Sequence, residues 1–166
     1  MRRKGRRDAE TRSASRKRYP CEVSPGWAFT YSVGKGWTVW APVGVRMPGC
    51  DLVQPDIVVV RREDRHIIHD RCINGVPALI VEVLSPSPPE TGETIKRTAY
   101  ARVGMPEYWI VRPASRDVVR CTSPDRVAGN FLQTTLIAVD GTLTSPTLPF
   151  NAPVAGFFAG SPDETV

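Results

Sequence analysis

Two apolar runs separated by a punctuated polar segment constrain this fold more than any other part of the chain. They lie in PALIVEVLSPSPPETGETIKRTAYARVGMPEYWIVRP, from Pro77 to Pro113. Leu79 to Leu84 and Glu107 to Val111 are short and rich in branched residues, as buried strands are. Between them Ser87 is placed to cap a helix, Pro88 suits its first turn, and Glu90 completes a capping box. Gly104 supplies a C-terminal stop with Pro106 just beyond it. Strand, crossover helix and strand form a right-handed parallel unit. The spacing therefore predicts an α/β (mixed α+β) chain built on a mixed sheet.

Two charges fall where this unit should be apolar. Glu82 lies inside the first run. On a helical wheel, Gly92, Ile95, Lys96, Ala99, Tyr100 and Val103 share the face expected to meet the sheet. Burying either charge costs several kcal/mol (order of magnitude) unless it is compensated. The helix runs back along the strand before it. Lys96 is about 12 Å into the helix and leans towards its start. Glu82 is about 7 Å from the strand end, so the two groups can meet. A structural ion pair and an active-site pair both fit that pattern.

The 166 residues, 41% apolar and 23% charged, suit one domain with its own core. No run is long enough for a transmembrane helix and no signal-peptide core follows the basic start, so a cytoplasmic protein with no membrane partner is expected. The net charge of +5 is uneven: residues 1–18 carry nine Arg or Lys against two acids, and the remainder carries 13 against 15. Residues 1–18 thus read as a disordered basic arm, able to touch nucleic-acid phosphates without reading sequence. A merely solvated arm, or a stretch upstream of the true start, accounts for it equally. Residues 19–160 read as the single domain, and 161–166 as a frayed tail. Cys21, Cys50, Cys72 and Cys121 form no CxxC pair and read as thiols in a reducing compartment. His66, His69 and Cys72 are metal-ligand types at close spacing, but no fourth ligand is evident and zinc there is disfavoured.

Around the central unit, Trp37 to Met47 reads as a strand bent at Pro42 or Gly44, in a hairpin with Asp56 to Arg61. Arg62 to Val76 reads as a polar surface connection. Asp117 to Thr122 should pair with 107–112. Phe131 to Val139 and Thr142 to Ser145 flank Asp140-Gly141, a C-terminal hairpin signal. Residues 146–160 should cover an edge, anchored by Phe150, Phe157 and Phe158.

Asp56 follows a proline and opens a strand. If that strand neighbours the one holding Glu82, the two carboxylates converge. Two hard oxygen ligands, completed by a backbone carbonyl and waters, suit Mg²⁺. A lysine close by can orient a water or balance charge on a phosphate. These are the parts of metal-assisted phosphodiester hydrolysis.

From about Trp37 to Asp117 the chain resembles the Uma-two family of endonucleases. The shared features, in order, are APVGVRM, QPDIVVV, LIVEVLSPS, a lysine four residues before a tyrosine, and GMPEYWIVRP. That family belongs to the restriction-endonuclease-like PD-(D/E)XK superfamily. The resemblance implies a restriction-endonuclease-like mixed sheet and a Mg²⁺ (or Mn²⁺) site on Asp56 and Glu82, with double-stranded DNA as the partner and a homodimer allowed. It implies Asp56, Glu82 and Lys96 as the catalytic set. The superfamily lysine two residues after the second acid is Leu84 here, and Lys96 on the helix takes its part. Ser85 and Tyr100 match supporting positions, although Tyr100 reads first as a core aromatic and Trp109 as core. Where the family carries an aspartate one turn before the lysine, this chain has Gly92, with Glu93 next to it and rotated by about 100°. Residues 1–36 do not resemble the family's N-terminal helix and strands, so the N-terminal part of the domain reads as incomplete. An inactive relative serving as a nucleic-acid-binding or protein-interaction module is the alternative reading.

Overall fold

The structure, a computed structural model, describes residues 30–32, 36–40, 43–50, 52–69, 72–85 and 90–159. The basic arm, the capping residue Ser87 and the tail at 161–166 lie outside the described residues. The strands are β1 (Thr30–Ser32), β2 (Gly36–Trp40), β3 (Gly44–Arg46), β4 (Ile57–Arg61), β5 (Ile68–His69), β6 (Cys72–Asn74) and β7 (Leu79–Val83). Helix α1 (Glu90–Val103) follows, then β8 (Glu107–Arg112), β9 (Asp117–Asp125), β10 (Asn130–Ile137), β11 (Thr142–Thr144) and β12 (Asn151–Pro153). Short 3₁₀ turns occupy Arg65–Ile67 and Val154–Phe158.

The unit β7–α1–β8 sits at the centre of a seven-stranded sheet of order β1-β2-β4-β7-β8-β9-β10. Its β7–β8 pair is parallel, as a helical crossover requires, and the other pairings of that sheet are antiparallel. Helix α1 stops as the sequence predicts. Gly104, at φ 79°, gives its N–H to Ala101 O (3.0 Å), and Met105 N–H bonds Tyr100 O (2.9 Å). This closes the last turn in a left-handed cap that a side chain would strain.

Alternation along β7 sends Leu79 and Val81 to one face, Ile80 and Glu82 to the other. On the Ile80 face, Tyr100, Ala101 and Val103 of α1 pack with Val58, Tyr108, Ile110 and Cys121. A small sheet of order β3-β6-β5 closes the same core with Val45 and Ile73. On the other face, Leu143, Val154 and Phe158 cover Leu79, Trp109 and Val118.

Four expectations need correction. First, Ile95 is 64% exposed while Ala101 is fully buried, so the helix is rotated relative to the expected wheel. It leans over β9 and β10, where Arg97 Nη2 donates to Thr134 Oγ1 at 3.1 Å. Second, Trp37–Met47 is not one strand: β2 pairs with β4 as expected, whereas β3 joins the small sheet beside β6. Third, Arg62–Val76 is not simply a surface connection, because Ile67, Cys72 and Ile73 are buried. Fourth, the turn before Thr142 forms, with Gly141 N–H on Ala138 O at 2.9 Å, but the strands beside it part. β10 stays on β9 and β11 pairs with β12 over the second face of the sheet. Val154 and Phe158 anchor that cover, while Phe150 and Phe157 remain partly exposed.

A second buried carboxylate fastens this cover. Glu107, fully buried at the start of β8, accepts from Trp109 Nε1 (2.7 Å), Ser145 Oγ (2.5 Å) and Thr147 Oγ1. Ser145 Oγ in turn accepts from the backbone N–H groups of Thr147 and Leu148. Replacing Glu107 by alanine strands three donors beneath the cover. The expected cost is about 2–4 kcal/mol in denaturant melts, with earlier proteolysis after residue 145. At the β8–β9 turn, Arg112 donates to both oxygens of Asp117, at 2.6 and 2.8 Å. These bonds hold the Asp117 carboxyl below the usual carboxylate range. The stabilisation is thus present above the unfolded value of about 4 and is lost as pH falls through the lower folded one. Asp117→Asn should lower the melting temperature at pH 7, and its difference from wild type should shrink in acid.

Candidate active site

β4 and β7 run antiparallel with Ile57 opposite Val81. Asp56 immediately precedes β4, and the same register continued by one step would set it opposite Glu82. Asp56 replaces the next rung of the ladder with its side chain, whose Oδ2 accepts the Val83 N–H at 2.7 Å. That bond draws the Asp56 carboxylate to the backbone beside Glu82.

Glu82 is only 6% exposed, which is costly for a carboxylate without donors. Both of its oxygens have one. Tyr100 donates its hydroxyl to Oε1 at 2.9 Å, and Lys96 Nζ meets Oε2 at 2.8 Å. The i, i+4 spacing stacks the two side chains on neighbouring turns, so one helix flank supplies both partners. The Tyr100 ring is fully buried and meets Tyr108 edge-to-face at a centroid distance of 4.9 Å. Burial, and then the neighbouring Glu82 carboxylate, push its phenol well above the ordinary range. Tyr100 therefore stays protonated, a permanent donor to Glu82. Lys96 is different: its side chain is 48% exposed.

The structure thus gathers Asp56, Glu82, Lys96 and Tyr100. Ser85 stands exposed beyond the end of β7. Glu93 is half-buried on α1. His66 and His69 are exposed, while Cys72 is buried with Sγ 3.6 Å from Asn74 Oδ1. Among the described residues no three His, Cys, Asp or Glu side chains gather as a metal site. The donor set is two carboxylates. It fits Mg²⁺ held by one or two carboxylates with waters and substrate phosphate completing the shell, and does not fit an all-protein cage. The Val83 N–H was invisible in the sequence, because a backbone donor acquires its partner only through register.

Residues 27–155 match the family profile described as "Putative restriction endonuclease", Uma2. Among solved structures, a protein of Anabaena variabilis described as "a putative nuclease belonging to DUF820" is similar, with a TM-score of 0.58 and 17% identity. The match covers 74% of this chain and 68% of that one. At such identity the likeness is one of fold. No curated protein matches the chain significantly. The family match spans well over half of the sequence and takes in β4, β7, α1 and β8, so the chain belongs to the Uma2 family of restriction-endonuclease-like proteins.

Proposed function

We propose that this chain is a Mg²⁺- or Mn²⁺-dependent endonuclease that hydrolyses phosphodiester bonds in double-stranded DNA, working in the cytoplasm. One observation carries the reading: a buried Glu82 has Lys96 Nζ 2.8 Å from its Oε2, and the N–H of the next residue, Val83, is held by Asp56 Oδ2 at 2.7 Å. Membership of the Uma2 family supports it, and the buried thiols Cys72 and Cys121 suit a reducing compartment.

In this mechanism Asp56 and Glu82 would hold the ion. A divalent ion there supplies Lewis acidity and lowers the pKa of a coordinated water. Lys96 reaches from the helix flank, orients the attacking water and balances charge gathering on the phosphate. Tyr100 is a positioning residue: it fixes one Glu82 oxygen and thereby the direction of the other. Ser85, exposed past β7, lies on the side open to the DNA backbone, and Glu93 supports the helix–sheet contact through its charge. The nine basic residues of 1–18 add affinity that is independent of sequence. Two chains would present one site to each strand of a duplex. The outer strand β10, with Leu132 68% and Leu136 56% exposed, is the edge that favours a homodimer.

Asp56→Ala, Glu82→Gln and Glu82→Ala should each abolish metal-dependent nicking of supercoiled plasmid while circular dichroism shows the fold retained. Absence of any metal-dependent cleavage by the wild type overturns the reading, and DNA binding without cleavage would leave the alternative of an inactive nucleic-acid-binding relative. Tyr100→Phe removes one hydroxyl and keeps the ring. The expected result is a loss of about 1 kcal/mol of stability and a lower kcat. Leu136→Lys should convert a sedimenting dimer to a monomer, and a wild-type monomer would sink the dimer proposal.

A further inference from the structure

We infer that Lys96 is a displaceable counter-ion occupying the metal's place on Glu82, so that ion loading and release of the Lys96 ammonium are one event. This rests on the metal site proposed above and goes beyond it, because it assigns Lys96 a role before any substrate arrives.

The two partners of Glu82 are unequal. Oε1 belongs to Tyr100, whose ring is fully buried and locked against Tyr108, so freeing that oxygen would mean opening the core. Oε2 belongs to Lys96, half-exposed on a flexible stem, with Glu82 as its one ion-pair partner among the described residues. Asp56 has already committed Oδ2 to the Val83 N–H. Oε2 of Glu82 is therefore the oxygen that would be open to a divalent ion, because its partner is the one that can leave. An ammonium 2.8 Å from that oxygen stands in the ion's way by volume and by like charge.

The exchange has two consequences. Without metal, Lys96 neutralises the buried carboxylate and keeps the site folded. With metal, the ammonium is freed towards the phosphate, so the cation that assists the reaction becomes available only once the ion is seated. Lys96 then weakens ion binding while serving the chemistry.

The test uses Mn²⁺ or Mg²⁺ alone, without DNA, titrated into the full chain by calorimetry and by the rise in melting temperature. Lys96→Met keeps the methylene packing and removes the charge. It should bind the ion about tenfold more tightly than wild type, given the like-charge repulsion removed. Lys96→Arg, which keeps a cation beside Oε2, should bind no more tightly than wild type. Asp56→Asn should lose binding. Binding by Lys96→Met that equals or falls below wild type overturns the inference, while loss of wild-type binding in Asp56→Asn would still leave the metal site standing. Ion binding by Lys96→Met but not by wild type supports the inference. No binding by either protein removes the metal site and the inference together.

Discussion

A carboxylate placed under a helix in the middle of a sheet must be satisfied by whatever packs on it, and Glu82 dictates what α1 can be. Its two oxygens take their donors from Lys96 and Tyr100, one helical turn apart. That pairing fixes both the rotation of the helix and how far along β7 it sits. A helix turned to bury Ile95, as simple periodicity suggested, would move Ala101 out of the core. The wheel placed Lys96 and Tyr100 inward correctly, and the donors that Glu82 requires are consistent with the rotation observed.

Two of the buried carboxylates among the described residues of the sheet are glutamates, and their surroundings differ. Glu107 opens β8 opposite Leu79, faces the C-terminal cover, and is closed off by an indole and two hydroxyls. Glu82 lies near the end of β7 opposite Ile110, faces the helix, and has one partner that is half-exposed. Neutral donors from packed segments make a fastener. Lys96, beside Glu82, is a charged donor that stays half-exposed. The two differ in face, in position along the strands and in the freedom of their partners, although both are glutamates within apolar runs.

The family and the restriction-endonuclease-like fold are established by the sequence match and the structural likeness. No helix among the described residues is long and apolar enough to cross a membrane. Beside the Glu82 carboxylate, the structure shows the Lys96 ammonium on one oxygen, the Tyr100 hydroxyl on the other, and the Asp56 carboxylate on the next backbone N–H.

Much of this was legible in the residues. Branched runs and Gly104 determined the strands and the stop of the helix between them, because local punctuation acts within a few residues. A lone charge in an apolar strand and another on the predicted inner face marked Glu82 and Lys96 for pairing, since neither could be buried alone. The same signal at Glu107 has no legible partner set, because two of its three donors lie 38 and 40 residues away in a segment without periodic pattern. The Asp140-Gly141 turn was visible, but the pairing beyond it was not. A turn fixes local direction, while the choice between hairpin and crossover depends on which apolar face needs cover. That Asp56 holds the Val83 N–H only the tertiary structure decided, because it depends on how the neighbouring strand settles beside one buried carboxylate.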